Sequence, residues 1–293
     1  MINKLKKGWR SLHINDEFIN LSARYALSKK QFKLVDRYDY IPNLILIGSQ
    51  KCGTTSLYNY LNAHPHIYMS EPIKESGFFI FDEWAKSYWK EKGLKIRSKK
   101  ELVQKHMITE DFFGQKYFGD ASTYYTQDNR VFDFDIPRKI KNESPNAKLL
   151  YLIRNPFARI VSTYYHMKKF WDYTHSLDYF IESSQSAINT SLYNDQIKPY
   201  WRIFNNNLKI IQFEDLITQP SQIMGDIFDF LELDANVQIE FKVHNRTSPN
   251  NSQKFSKKNF ENLYPIFIDQ QELLRSEYQL NLNWDLKENT WTQ

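Results

Sequence analysis

The sequence predicts a single α/β domain with a central parallel sheet flanked by helices, and three observations carry that prediction. The first is Asn43 to Asn62, NLILIGSQKCGTTSLYNYLN. Four consecutive apolar residues (Leu44, Ile45, Leu46, Ile47) run into Gly48, a small polar loop follows, and from Thr54 the apolar positions recur at helical spacing (Leu57, Tyr60, Leu61). An unbroken apolar run is what a strand covered on both faces requires, and the change of period marks strand, loop and helix. The second is Lys148 to His166, KLLYLIRNPFARIVSTYYH, where the apolar run Leu149 to Ile153 ends at Arg154 and a helix start follows. The third is length: 293 residues can bury one full core and lie near the size at which single cores stop growing. Residues 41–293 are therefore read as one domain, preceded by a helical arm over residues 1–40.

Composition narrows the function classes. Hydrophobic residues at 41% and charged residues at 25% are ordinary for a globular chain, whereas 16% aromatic residues is high. Extra aromatics either line ring-binding clefts or pack the core. A formal net charge of +5 suits an anionic ligand but is too small and scattered to indicate nucleic acid. Cys52 is the only cysteine, so neither an intrachain disulfide nor a cysteine-based zinc site can form, and nothing calls for an oxidising compartment. No uncharged apolar run approaches the roughly 20 residues that span a bilayer, and no apolar signal core follows the N-terminal lysines. The expectation is a cytoplasmic protein without a transmembrane segment.

Along the chain, the arm is basic at first (Lys4, Lys6, Lys7, Arg10) with scattered apolar residues. It reads either as an amphipathic helix touching a membrane surface or as an arm packed on the domain or on a second subunit. Asp16 and Glu17 interrupt the basic face and favour the second reading. In the first loop, Gly48 and Gly53 permit tight turns, so that amide hydrogens and the helix dipole can converge on an anion. Thr54 and Thr55 add hydroxyls and Lys51 adds a charge. The glycine spacing is that of the nucleoside-triphosphate loop G-x-x-x-x-G-K-[ST], but Thr54 stands where the lysine belongs and Lys51 lies inside the loop. Such a loop binds phosphate or sulfate, with Lys51 meeting a shorter 5′ group.

Asn62 and Pro65 stop the first helix, and Ile67 to Met69 reads as a short strand. Phe81 to Met107 is rich in aromatics (Trp84, Tyr88, Trp89) and lysines, and Ser98 with Glu101 forms a capping box that places a helix start near Lys99. The basic run is either a solvated face or a hold for an acidic acceptor, with the tryptophans stacking on sugar rings. Asn155 is a good N-cap and Pro156 a good first helical residue. Arg154 thus emerges at the carboxyl end of the sheet, where open α/β folds place ligands, and its planar fork suits a phosphate. Ser162 either adds a hydroxyl to that site or is an ordinary helix serine. Leu177 to Phe204 reads as helical, with Tyr193 and Trp201 as packing residues, and Leu208 to Phe213 as a buried strand ending at Glu214 and Asp215. Acids after an apolar strand also fit a magnesium site, the alternative being a structural role. Ile223 to Leu231 reads as a helix and His244 to Lys258 as a polar, turn-rich loop.

The loop at Gly48 to Thr55 and the segment around Arg154 resemble the two nucleotide-binding segments of the sulfotransferases that use 3′-phosphoadenosine-5′-phosphosulfate (PAPS). Those carry a P-loop with the lysine two places before the second glycine, and a strand, Arg-Asn-Pro, helix, and a serine eight residues after the arginine. A third match, IIQFEDL at Ile210 to Leu216, resembles a strand on the family's C-terminal side, and the matches together span 41–233. The likeness is to the carbohydrate and heparan-sulfate type, as a soluble bacterial member without the N-terminal anchor of the Golgi enzymes. It implies a P-loop NTPase-like topology and PAPS as donor, with adenosine 3′,5′-bisphosphate (PAP) as product and no metal. Lys51, Gly53, Thr54 and Thr55 would hold the 5′-phosphosulfate, and Arg154 and Ser162 the 3′-phosphate.

The resemblance also places the catalytic carboxylate at Glu75, just before Phe78 and Phe79, as the base that takes the proton of an acceptor hydroxyl. From the residues alone, Glu75 reads first as a surface carboxylate paired with Lys74, and the resemblance reverses that preference. Gly119 to Tyr125, GDASTYY, resembles the family's Gly-Glu-x-Ser-Pro-x-Tyr segment near the acceptor, with Ala121 where heparan-type enzymes have lysine. No Lys-Thr-His-Leu-Pro-like segment supplies a catalytic histidine in that region. Arg246 and Lys254 match, loosely, a basic loop near the 3′-phosphate. The implied acceptor is a carbohydrate hydroxyl, with a small molecule or lipid next. Rival readings are a small-molecule kinase or NTPase that holds magnesium on Glu214 or Asp215, and a non-catalytic nucleotide-binding protein. A Cys52 phosphatase fails, because its Cys-x₅-Arg loop would need arginine where Tyr58 stands.

Overall fold

A computed structural model describes residues 40–126, 135–242 and 254–287. The predicted arm, except its last residue Tyr40, and Arg246 lie outside the described residues. Five strands form one sheet. The first strand, β1 (Leu44–Gly48), is wholly buried and leads through the glycine loop into α1 (Thr54–Asn62), both at the expected bounds. β2 (Ile67–Met69) follows, and then a 3₁₀ turn at Phe78–Ile80 and two short helices, α2 (Lys86–Glu91) and α3 (Lys99–Leu102). Ser98 caps α3 by accepting from the Glu101 amide, while the Glu101 carboxylate accepts from the Arg97 amide at 2.8 Å. The capping box therefore closes one residue earlier than its usual pattern.

Next come β3 (Tyr117–Ala121), α4 (Ile136–Glu143), β4 (Lys148–Ile153) and α5 (Pro156–Phe170). The Asn155 side chain caps α5 through the Phe157 and Ala158 amides, as its position before Pro156 predicts. The expected helix from Leu177 to Phe204 is three helices, α6 (Leu177–Ser183), α7 (Gln185–Asn189) and α8 (Tyr193–Phe204). The breaks fall at Ser184 and at Thr190 to Leu192, where Ser184, Thr190 and Ser191 carry hydroxyls that compete with the helical ladder. β5 (Leu208–Gln212) ends one residue early, because Phe213 opens α9 (Phe213–Thr218), which places Glu214 and Asp215 in a first helical turn. α10 (Pro220–Phe230) and α11 (Lys257–Tyr278) complete the described elements. The loop predicted through Lys258 overshoots: Phe255 is buried and Ser256 caps α11. Phe255, Phe260 and Phe267 pack around Phe157, with ring centres 5.0, 5.4 and 5.0 Å away, so α11 docks on the first turn of α5.

All strand pairs are parallel, in the order β2-β3-β1-β4-β5. Helical crossovers cover the sheet, which explains why β1 and β4 read as apolar runs without alternation. This is the P-loop NTPase-like topology. The ladder between β1 and β4 shifts register between Leu46 and Gly48, and the strand ends open there into the glycine loop. With β1 between β3 and β4, the residues that leave the carboxyl ends of these strands meet above one edge. Among the described residues no helix is long and apolar enough to cross a membrane.

Candidate active site

Backbone geometry at the loop is special. Gly53 has φ +88°, and a Cβ there would stand 2.6 Å from the Phe213 ring, so both conformation and space demand glycine. Lys51 also lies in the left-handed region, at φ +67°. Its carbonyl accepts from Arg154 Nη1 at 3.2 Å, and the Arg154 guanidinium lies 4.4 Å from the centre of the Phe213 ring. The Tyr193 hydroxyl fixes the Arg154 backbone, donating to its carbonyl at 2.8 Å and accepting from its amide at 3.3 Å. Loop, strand end and β5–α9 junction thus form one interlocked unit.

The Lys51 ammonium lies 3.3 Å from His166 Nδ1. Burial, and then the charges of Lys51 and Lys169, pull the His166 pKa down to about 4, so the ring is neutral and Nδ1 accepts from Lys51. Ser162, itself buried, precedes His166 by four residues and so shares its face of α5. Beneath the loop, Cys52 is buried, and burial pushes its thiol up to about 11 although Arg159 and Arg154 favour the thiolate. The thiol stays protonated, which is unsuited to a nucleophile.

Arg159 is completely buried and donates to Ser191 Oγ at 2.6 Å, Thr163 Oγ1 at 3.3 Å and the Ala187 carbonyl. Among the described residues no carboxylate forms an ion pair with it. These bonds draw the α7–α8 junction onto α5, which accounts for the second break in the expected long helix.

On the other side of β1, Glu75 Oε2 accepts from the Thr123 amide at 2.7 Å and from Thr123 Oγ1 at 3.3 Å. Lys74 Nζ stands 3.7 Å from Glu75 Oε1 and donates to Thr55 Oγ1 at 3.1 Å. The pairing with Lys74 and the nearness of Glu75 to the loop are therefore one arrangement, not alternatives. Asp120, fully buried at the β3 end, accepts from Ser76 Oγ at 2.6 Å and from the Tyr125 hydroxyl. Burial pushes its carboxyl up to about 7. Its bond to Ser76 pins the segment that carries Glu75.

A half-buried aromatic cluster flanks this carboxylate. Trp84 stacks on Tyr88 at 4.6 Å and packs against Tyr124 at 4.1 Å between ring centres. Both tyrosine hydroxyls feel the Glu75 charge, which adds to the burial that raises their pKa. The alternative in which both tryptophans stack on a sugar fails for Trp89, which is buried and whose indole N–H donates to the Ser76 carbonyl at 2.9 Å.

Glu214 accepts from the Asn155 amide at 2.9 Å and from the Trp284 indole N–H at 2.9 Å. Asp215 accepts from Gln212 Nε2 at 2.9 Å. Glu214 thereby ties the α5 N-terminus to the C-terminal segment. Among the described residues no group of three or more His, Cys, Asp or Glu is arranged for a metal ion.

Two contact sets thus meet on the loop: Arg154 bonds the Lys51 carbonyl, and Lys74 bridges Thr55 and Glu75; Lys254 is exposed beside the undescribed stretch. Sequence patterns do not single out Arg159, His166, Phe213 or the second contact of Lys74. His166 alone has a readable signal, its i+4 spacing from Ser162.

A profile of the family described as "Sulfotransferase domain" matches residues 42–278. Human heparan sulfate glucosamine 3-O-sulfotransferase 5 is 24% identical over 78% of this chain and 64% of its own length. The mouse bifunctional heparan sulfate N-deacetylase/N-sulfotransferase 1 is 27% identical over 68% of this chain but only 23% of its own length. The chain therefore spans from about a quarter to under two thirds of these relatives. Among solved structures, a sulfotransferase from Alicyclobacillus acidocaldarius superposes with a TM-score of 0.65 at 25% identity, covering 83% of this chain and 98% of that one. A mouse sulfotransferase complexed with PAP shares the fold, with a TM-score of 0.52 at 16% identity over 80% of this chain and 86% of its own. With the glycine loop, the Arg154 segment and Glu75 all inside the matched span, the chain belongs to the sulfotransferase domain family.

Proposed function

We propose that this protein transfers a sulfuryl group from PAPS to a hydroxyl of a carbohydrate acceptor. The observation that carries the reading is the joining of a cationic anion loop to a carboxylate: Glu75 contacts Lys74, Lys74 contacts Thr55, and Arg154 contacts Lys51. Lys51, Gly53, Thr54 and Thr55 hold the 5′-phosphosulfate, and Arg154 with Ser162 holds the 3′-phosphate. Glu75 takes the acceptor's proton while the acceptor oxygen attacks sulfur in line and the bond from sulfur to the nucleotide's bridging oxygen breaks. Lys51 meets the charge that grows on that oxygen, so the step is driven by positioning and electrostatics. The names of the heparan-sulfate relatives support a glycan acceptor. The aromatic cluster of Trp84, Tyr88 and Tyr124 beside Glu75 supports a ring-stacking one.

The rival kinase reading needs Glu214 or Asp215 free for magnesium, and Glu214 is instead engaged by Asn155 and Trp284. Calorimetry with PAP, ATP and ADP, with and without magnesium, tests the donor. The expected result is magnesium-independent binding of PAP that Arg154→Ala abolishes; preference for magnesium-ATP would sink the reading. For the base, Glu75→Gln should lose roughly 10²- to 10⁴-fold in transfer to an accepted glycan with PAP affinity unchanged.

A further inference from the structure

Lys74 occupies a place that its neighbours do not explain. Its ammonium donates to Thr55 Oγ1 at 3.1 Å, its side chain is 20% exposed, and it lies over the face of Tyr58 at 5.8 Å from the ring centre. Thr55 and Tyr58 are one turn apart on α1, so Lys74 lies along the helix and reaches its first turn. That end of a helix carries the positive pole of the dipole and repels a cation. The Arg154 guanidinium also reaches this loop, at the Lys51 carbonyl, and the Lys51 ammonium stands beside it against His166. Against this, Lys74 has the Glu75 carboxylate at 3.7 Å, beyond hydrogen-bond length. Among the described residues Lys74 is also the only cation within ion-pair distance of Glu75. A cation so placed becomes favourable when an anion enters between the α1 N-terminus and the carboxylate.

We propose that Lys74 binds the non-bridging oxygens of the sulfuryl group in transit, as a second lysine that spans the donor loop and the base. This rests on the PAPS reading given above. Lys74 keeps its protons throughout: Glu75 receives the acceptor's proton, the bond from sulfur to the nucleotide oxygen breaks, and the bond from sulfur to the acceptor oxygen forms. Contact with Thr55 sets where the ammonium stands along the loop, and its nearness to Glu75 brings the base to the same sulfur.

PAP and PAPS differ by the sulfuryl group alone, so paired equilibrium binding without acceptor isolates this contact. In Lys74→Met, which keeps the stem over Tyr58, PAPS affinity should fall about 10- to 100-fold, the range for one charge-assisted hydrogen bond. PAP affinity should stay within about twofold, and Lys74→Arg should recover part of the PAPS loss. Equal losses for both ligands, showing that Lys74 only shapes the loop, would overturn the proposal, as would no loss for either. Circular dichroism on each variant separates these results from misfolding. Wild-type protein that binds neither ligand would instead overturn the donor reading itself, so the two failures are distinguishable.

Discussion

Gly53→Ala tests whether the anion loop and the Arg154 site are one mechanical unit. An alanine at φ +88° adopts the left-handed region at a cost of about 1–2 kcal/mol. Its methyl would fall 2.6 and 2.9 Å from two ring carbons of Phe213, where contact distance is about 3.5–4.0 Å. Relieving a misfit of that size takes roughly 1–3 kcal/mol of repacking. The expected destabilisation is thus about 2–5 kcal/mol, read by urea unfolding. The ring that must move is the one beneath the Arg154 guanidinium, 4.4 Å away. Loss of a stacking contact worth about 0.5–2 kcal/mol should weaken PAP binding by roughly 2- to 30-fold.

Shrinking the ring separates the two parts. In Gly53→Ala with Phe213→Leu, the steric part vanishes and the conformational part remains, so the two changes should couple by about 1–3 kcal/mol. Additive losses would refute the steric account. A Gly53→Ala loss below about 0.5 kcal/mol, the scale of an ordinary surface change, would refute both parts.

Two further measurements address the charges around the loop. The Asp120 carboxyl is raised from its ordinary 3.8 to about 7 by burial, so between these values the native state holds a proton that the unfolded chain has released. Wild-type stability should fall as pH rises through that window, and Asp120→Asn should gain on wild type from pH 4 to 8 in urea titrations; a pH-independent difference would contradict the assignment. His166 is held near 4 by burial first and by Lys51 second. In Lys51→Met its NMR titration midpoint should rise yet stay below the ordinary 6.5, and an unmoved midpoint would rule out the contact.

What was legible in the sequence is what local physics decides. An apolar run followed by Gly48, and another followed by the Asn155-Pro156 cap, fix β1–α1 and β4–α5 without reference to the rest of the chain. The loop lysine and Arg154 follow, because they sit at ends of those elements. Hidden features depend on partners far along the chain. The α7–α8 junction bends to satisfy Arg159, whose bonds reach Ala187 and Ser191, 28 and 32 residues away. Trp89 reads as a surface aromatic until its indole is seen to close on Ser76. Lys74 looks like the partner of its neighbour Glu75, and only the α1 surface reveals its reach to Thr55.

Glu214 shows why similar strand ends serve different chemistry. An acid after an apolar strand can hold a metal only if its oxygens face the phosphate loop. Here Phe213 begins a helix, and the Glu214 carboxylate receives the Asn155 amide and the Trp284 indole, 70 residues on. The cations gathered at the loop must then be balanced by something else. Cys52 lies within the influence of Arg159 and Arg154, yet burial keeps its thiol neutral. Lys51 rests on a neutral imidazole, and Arg159 on hydroxyls and a carbonyl. Among the described residues Glu75 is the carboxylate within ion-pair distance of Lys74, which it offsets. In the proposed PAPS reaction, Lys51, Lys74 and Arg154 would meet the donor's anionic groups with fixed side chains, the part that magnesium plays in nucleoside-triphosphate loops.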